Sequence, residues 1–199
     1  MRKETDMEER KQAEEKNGRE IFDWVQALVC SVLVVVLLFT FVIRQIGVDG
    51  HSMLQTLQHG DRLLILNSLI SDNYEYGDIV VLRKESFSES PIVKRVIATE
   101  GQTVDIDFGR GLVYVDGQVL EEDYINEPTY NAEGTQFPLT QGEGEIFVMG
   151  DHRNHSGDSR DDNLGAGDTR HVIGKAVFLA FPGPDDETGE RDYSRIGLM

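Results

Sequence analysis

Cross-linking groups and positive charge are both scarce in this chain. Cys30 is the single cysteine among 199 residues, so the chain has no partner for an internal disulfide and no cysteine cluster that would bind a metal ion. Lys and Arg number 19 against 36 Asp and Glu, which leaves a net charge of -17. Because so acidic a chain repels other polyanions, we expect no nucleic-acid partner. The length suits one domain, or a core with a smaller appendage.

One long uncharged run lies near the N-terminus, over residues 24–43, "WVQALVCSVLVVVLLFTFVI". As a helix rising about 1.5 Å per residue it matches the roughly 30 Å hydrocarbon core of a bilayer. A cleaved secretory signal has a shorter apolar region of about 7–15 residues and a small-x-small site, and "FVIRQIGVDG" offers no convincing one. A buried core helix would need protein on every side. The run predicts a single membrane-spanning helix.

Basic residues are distributed unequally around this run. The twenty residues after it contain only Arg44 and Arg62, whereas six basic residues precede it: Arg2, Lys3, Arg10, Lys11, Lys16 and Arg19. Since Lys and Arg accumulate on the cytoplasmic side of a span, residues 1–23 are expected in the cytoplasm and residues 44–199 outside. The polar N-terminal segment lacks an apolar stripe, which predicts a disordered or loosely helical tail.

Beyond residue 44 the chain consists of short β-branched runs bounded by Gly, Asp, Asn or Pro, a pattern typical of strands. A mostly β domain is therefore predicted over 44–182. The runs are 62–67, 78–83, 91–98, 103–107, 111–115, 145–150 and 171–181. "YVDGQVL" predicts a two-residue hairpin turn at Asp116-Gly117. The polar stretch 120–144 predicts an inserted small lobe or cap, and residues 183–199 a mobile tail.

Ser52, in "GHSMLQTL", is a candidate nucleophile close to the predicted membrane exit. A serine in such a turn is usually structural, but Met53 and Leu54 follow it and could rest at the bilayer interface. A serine hydroxyl becomes a good nucleophile only when a neighbouring base removes its proton. His51 is a poor partner because adjacent residues of an extended chain point to opposite faces.

Lys94 is the better candidate base. In "PIVKRVIA" a period of two places Lys94 between Ile92 and Val96 on one face of a strand that reads as buried. Burial disfavours an ammonium and lowers its pKa, which leaves a neutral amine able to accept a proton. Two alternatives remain open. Lys94 is a surface lysine that extends its amine to water, or His152 or His155 forms a triad with Ser52 and an aspartate.

The segment "VMGDHRNHSGDSRDDNLGAGDTR", residues 148–170, places many polar residues directly after an apolar strand. A loop of this kind either builds a site or is merely solvated. It does not match a calcium-binding loop, because its acidic residues lack the alternating positions and the terminal glutamate. The "DFG" at 107–109 lacks a glycine-rich loop or any other kinase motif, so we treat it as chance.

Taken in order, these blocks resemble the type I signal peptidases, membrane-anchored Ser/Lys endopeptidases, and most closely their short Gram-positive-type members. The match runs from residue 24 to about 182 and includes the apolar run, "GDRLLILN" and the lysine block "GDIVVLRKESFSESPIVKRVIATEGQTV". "GHSMLQTL" matches the family's G-x-SM-x-PTL, and "FVMGDHRNHSGDSR" its GDNR-x-x-S-x-DSR. Gln55 replaces the usual proline and His152 the usual asparagine.

The resemblance implies that Ser52 is the nucleophile and Lys94 the general base. It also implies that Ser156 hydrogen-bonds the lysine amine, and that Asp158 and Arg160 form an ion pair that braces their loop.

Four further residues are expected to support the site: Gly50, Met53, Asp151 and Arg153. The oxyanion would be held chiefly by the backbone N–H of Ser52. Some family members add a hydroxyl two residues before the nucleophile, where this chain has Gly50.

The resemblance further implies a coiled, barrel-like sheet with a small cap, outside the cell membrane and near the secretion translocon. The substrates would be secretory preproteins cut after a small-x-small sequence such as Ala-x-Ala, with no metal or cofactor. One alternative is a non-catalytic, membrane-anchored peptide-binding domain, degenerate at Gln55 and His152. Another is a self-cleaving repressor-type Ser/Lys protease, which the predicted anchor and the missing DNA-binding domain disfavour.

Overall fold

The computed structural model describes residues 2–185 and 188–199, with side chains described from residue 19 onward. Contacts divide the chain after Val42 into a helical unit and a β-rich unit, Ile43–Met199. The helical unit is one α-helix, α1 (Arg2–Leu37), which continues as a π-helical turn, Leu38–Val42.

By length and composition, the segment Arg19–Val42 could cross a membrane, with a mean hydropathy of 2.8 and 0% of its apolar window buried in protein. A core helix of a soluble protein would be covered, so this exposure favours a span over a core helix. The helix begins before the apolar run, because the backbone is already helical at Arg2. It ends before Ile43, which belongs to a strand.

The β-rich unit consists of two antiparallel sheets. Its strands are β1 (Ile43–Gly47), β2 (Arg62–Asn67), β3 (Ile79–Leu82), β4 (Ile92–Ala98), β5 (Thr103–Asp107), β6 (Leu112–Val115), β7 (Gln118–Val119), β8 (Leu139–Thr140), β9 (Glu145–Met149), β10 (Gly167–Asp168), β11 (Val172–Phe181) and β12 (Gly197–Leu198). The larger sheet has the order β1-β2-β11-β3-β4-β9-β10, with β12 on β11, and the smaller sheet the order β7-β6-β5-β8. Three 3-10 turns complete the fold: Arg153–His155, Thr169–His171 and Tyr193–Arg195.

The mostly β prediction is confirmed, and every predicted run forms a strand whose ends differ by at most one residue from the prediction. The Asp-Gly hairpin is also present. Asp116 and Gly117 have φ values of 51° and 77°, and Val115 pairs with Gln118 across them. Positive φ at both central residues is what a two-residue turn of this type requires.

Five strands lie outside the predicted runs, although the predicted hairpin implies β7. β1 contains Arg44 and Gln45 and has no alternating burial, so no period of two marks it. The other four, β7, β8, β10 and β12, are two residues long, too short for any periodicity. The smaller sheet also starts at Thr103, so it extends well before the 120–144 segment that we expected to form a cap. β5 and β6 have the same local pattern as core strands, and only their pairing assigns them to the smaller sheet.

The middle of the larger sheet is covered on both faces. Val81 packs in one apolar cluster with Met53 and Leu57, whereas its neighbour Val80 packs in another with Val96. Every residue of β3 is buried, and β4 is buried from its second residue onward. A side chain in the middle of β4 is therefore surrounded by protein.

The end of the chain packs on this sheet. Gly197 and Leu198 pair with β11, and Arg195 donates to Asp61 Oδ2 at 2.7 Å, where Asp61 is 0% exposed. The expectation of a mobile tail is therefore wrong for these residues. Because the partners of Arg195 lie far away in sequence, a polar C-terminal stretch gives no local sign of the contact.

We predict that Arg195→Met lowers the free energy of unfolding by about 2–4 kcal/mol, because it leaves the buried carboxylate of Asp61 without its cation. Denaturant melts of the full chain in detergent micelles measure the effect. Arg170→Met is the matched control, since Arg170 pairs with Asp168 on the surface with a side chain 87% exposed. Equal midpoints for Arg195→Met and Arg170→Met would contradict the prediction.

Candidate active site

Ser52 and Lys94 are in direct contact. Ser52 lies in the turn between β1 and β2, and Lys94 lies in the middle of β4, opposite Val80 of β3. Lys94 Nζ donates a hydrogen bond to Ser52 Oγ at 2.5 Å. The lysine is 3% exposed, so it does not extend its amine to water. The strand pattern that predicted a buried lysine thus brings the amine to the serine.

Burial dominates the electrostatics of this amine. Burial lowers the pKa of Lys94 from 10.5 to about 8. The nearby carboxylate of Asp158 raises this pKa, and the guanidinium of Arg160 lowers it further. A substantial fraction of the amine is therefore neutral at mildly alkaline pH. A neutral amine has a lone pair that can accept the serine proton.

The turn that carries Ser52 is docked on a loop after β9, residues 150–161, which we call the 150s loop. His152 N donates to the carbonyl of Ser52 at 3.0 Å. Thr56 Oγ1 donates to Asp151 Oδ2 at 2.5 Å. A Cβ added at Gly150 would overlap both the Ser52 carbonyl and Ser156 Oγ, so the two segments touch at a position that only glycine fits.

Asp151 is held by an arginine that the sequence analysis did not identify. Arg95 donates from Nε to Asp151 Oδ1 at 2.9 Å and from Nη2 to Oδ2 at 2.7 Å. The Asp151 side chain is 0% exposed. A signal was present in the sequence, because an arginine next to Lys94 in a buried strand needs a carboxylate partner.

Asp158 and Arg160 are brought together as a buried, bidentate ion pair, with Nε–Oδ1 and Nη2–Oδ2 distances of 2.8 Å each. Ser156 Oγ donates a hydrogen bond to Asp158 Oδ2 at 2.9 Å, whereas we expected Ser156 to contact the amine of Lys94. Its role in aiming that amine stays a prediction.

The supporting residues around Ser52 differ from one another. Met53, expected near the bilayer interface, is 1% exposed and packs in the core, so that expectation is wrong. Gly50 has a φ of 105° and donates its N–H to His59 Nδ1 at 3.2 Å. Within residues 2–185 and 188–199, the backbone N–H of Ser52 donates to no acceptor, which leaves it available for a substrate oxygen.

The geometry does not support the histidine triad. The polar contacts of the His152 ring are with the His51 carbonyl, at 3.2 Å, and with Glu127, at 3.6 Å. The ring of His155 lies against that of His152, with centroids 4.4 Å apart. The titratable group in contact with the serine hydroxyl is the amine of Lys94.

Arg153 is fully buried and pairs with Glu122, which the sequence analysis also missed. Its Nη2 lies 2.5 Å from Glu122 Oε1 and its Nη1 2.9 Å from Oε2. Nothing in the local pattern around Glu122 indicates this partner, because the two residues are 31 positions apart and neither lies in a strand.

Comparison with known proteins places the site in a family context. The model of the family "Signal peptidase, peptidase S26" matches residues 21–181. The chain is 36% identical over 169 residues to a probable signal peptidase I-1 from Synechocystis sp., covering 79% of this chain and 81% of that protein. It is 33% identical over 184 residues to a signal peptidase I from Bacillus licheniformis, covering 88% and 96%. A crystal structure of a signal peptidase I from Enterococcus faecalis V583 has 30% identity and a TM-score of 0.43, covering 52% of this chain and 96% of that chain.

We predict that Lys94→Met gains free energy of unfolding relative to the wild type as the pH is lowered from 10 to 7. The folded pKa of about 8 lies below the unfolded 10.5, so the unfolded chain binds the proton more tightly. The resulting penalty is fully present below pH 8 and fades as the pH rises toward 10.5. At 1.36 kcal/mol per pKa unit, the difference between the two proteins should narrow by about 2–3 kcal/mol over this range.

Denaturant melts of both full-length proteins in detergent, at several pH values, measure this change. Loss of the contact with Ser52 shifts the difference in free energy of unfolding by the same amount at every pH. It does not change how that difference varies with pH. A difference that is flat between pH 7 and pH 10 would show that the amine is not desolvated.

Proposed function

The chain belongs to the signal peptidase family, peptidase S26, whose activity is the removal of signal peptides, and from this premise we propose that it cuts preproteins with a Ser52/Lys94 dyad. The observation that carries the proposal is the 2.5 Å contact between Ser52 Oγ and the enclosed amine of Lys94. A serine with an adjacent base of lowered pKa is the arrangement that nucleophilic catalysis requires.

In the proposed reaction, the neutral amine of Lys94 takes the proton of Ser52 as its Oγ attacks the carbonyl carbon of the scissile bond. The backbone N–H of Ser52 stabilises the oxyanion of the tetrahedral intermediate. The Lys94 ammonium then protonates the leaving amine, and the signal peptide remains as an ester on Ser52. A water molecule, deprotonated by Lys94, hydrolyses this ester and regenerates the enzyme.

We further propose that cleavage follows a small-x-small sequence such as Ala-x-Ala. An extended peptide can add as a strand to a sheet edge, so that alternate side chains enter pockets. Such a mode explains why the residues one and three positions before the cut are selected and the residue between them is not.

The proposed location is the outer face of the cell membrane, near the secretion translocon, with the N-terminus in the cytoplasm. The apolar segment Arg19–Val42 and family membership support a membrane anchor. The excess of Lys and Arg before that segment supports the orientation.

The two departures from the family pattern leave the contacts of the site in place. His152 meets Ser52 through its backbone N–H, which any residue except proline supplies. Gln55 is exposed. We therefore do not favour the degenerate, non-catalytic alternative.

We predict that Ser52→Ala and Lys94→Ala each reduce the cleavage of a preprotein by at least about 10³-fold. His152→Ala and His155→Ala should stay within about tenfold of the wild type, because the dyad assigns no proton transfer to imidazole. Purified protein in detergent and gel analysis of the cleaved preprotein provide the measurement. A folded histidine variant as inactive as Ser52→Ala would refute the dyad.

A second prediction concerns orientation. A protease added outside intact cells should digest residues 43–199 and spare residues 1–18, because the basic residues before the anchor keep that segment in the cytoplasm. Epitope tags at the two ends report the result. A digested N-terminal tag beside a protected C-terminal one would reverse the proposed topology.

A further inference from the structure

Residues 122–136, which we call the strap, lie along the 150s loop. Asn126 N donates to the Asp151 carbonyl at 2.9 Å, and Thr135 N donates to the Arg160 carbonyl at 3.0 Å. Asn154 accepts from the backbone of Tyr130 at 2.9 Å. The strap therefore contacts the beginning, the middle and the end of the loop.

Three carboxylates of the strap face donors of the loop. Glu122 pairs with Arg153, as described above, and Glu127 Oε1 accepts from Asn154 N at 2.7 Å. Glu133 Oε1 lies 3.6 Å from Arg160 Nη2. The order of these acids along the strap is the same as the order of the donors along the loop.

The pair Glu122–Arg153 is the most enclosed of the three. The arginine side chain is 0% exposed and the glutamate 6%. Tyr124 donates its hydroxyl to Glu122 Oε1 at 3.0 Å, and Thr129 Oγ1 accepts from Arg153 Nη1 at 3.0 Å. Both groups thus have several partners, and the guanidinium has one defined orientation.

Arg153 is linked to Ser52 through Gly150. Its Nε donates to the Gly150 carbonyl at 3.0 Å, while the Gly150 N–H donates to Asp158 Oδ2 at 3.0 Å. Gly150 is the residue that touches the Ser52 carbonyl and Ser156 Oγ so closely that no Cβ fits. A displacement of Gly150 would therefore move the nucleophile.

We propose that Glu122 is a positioning residue of the peptidase reaction, which acts through Arg153 and Gly150 to hold Ser52 against Lys94. The inference rests on the proposed function. Without the carboxylate, the buried guanidinium loses its main partner and turns toward other acceptors or water, which releases the Gly150 carbonyl. A misplacement of about 1 Å at reacting groups costs on the order of 10²-fold in rate.

The test measures preprotein cleavage by the full chain in detergent. We expect Glu122→Gln to lower kcat by about 10- to 100-fold and to change KM by less than about threefold. Glu121→Gln, at an exposed acid just before the strap, should stay within about twofold of the wild type. In a double-mutant cycle, Glu122→Gln combined with Arg153→Met should have the kcat of Arg153→Met alone, since both remove one linkage.

Several outcomes would overturn the proposal. One is a kcat for Glu122→Gln equal to that of Glu121→Gln. Another is a double variant, Glu122→Gln with Arg153→Met, whose loss of kcat is the product of the losses of the two single variants. If Glu122→Gln fails to fold, Glu122→Met combined with Arg153→Met replaces the ion pair with apolar groups, which buried pairs commonly tolerate. We expect this double variant to melt near the wild-type temperature with kcat still lowered at least tenfold, whereas wild-type kcat would refute the role of the pair.

The same assay separates this inference from the proposed function. Cleavage by the wild type that Ser52→Ala abolishes supports the function whatever Glu122 does. A wild-type chain that leaves the preprotein intact would overturn the function and this inference together.

Discussion

The proposed reaction depends on keeping the amine of Lys94 away from water. An exposed lysine is protonated at physiological pH and has no lone pair with which to take a proton from Ser52. Enclosure requires protein on both sides of β4, which the curled larger sheet supplies through two apolar clusters. The same packing that stabilises the fold therefore lowers the pKa of this amine, which is what the proposed role of Lys94 as a base requires.

A carboxylate near Lys94 would counteract the effect of burial on its pKa, and this chain, with a net charge of -17, has many carboxylates. An aspartate in direct contact with Lys94 would stabilise the ammonium and raise its pKa. The two aspartates nearest to the site are instead occupied by arginines: Asp151 by Arg95, and Asp158 by Arg160. Their negative charge is largely compensated within each pair, which leaves burial as the dominant influence on the lysine.

Local pattern explains which features the sequence revealed. The alternation around Lys94 and the Asp-Gly turn depend on a few adjacent residues and have their expected form, and the uncharged run is helical as far as Val42. Arg95, Glu122 and Arg195 have partners in distant segments, which no periodicity encodes. Met53 is the informative error. An apolar residue beside a predicted membrane exit fits the core as well as the interface, and its packing with residues from distant strands, such as Val81 and Leu179, decides between them.

The order of the site along the chain has a consequence during biosynthesis. Ser52 precedes Lys94 by 42 residues, and the 150s loop, which donates to the Ser52 carbonyl, follows much later. Chains are synthesised from the N-terminus, so Ser52 emerges while Lys94 and Arg160 are still to come. In the proposed dyad, Ser52 therefore has no base until β4 has been synthesised and has packed against its turn. We therefore expect a nascent chain to have no peptidase activity until the segment that carries Lys94 has been made and has folded.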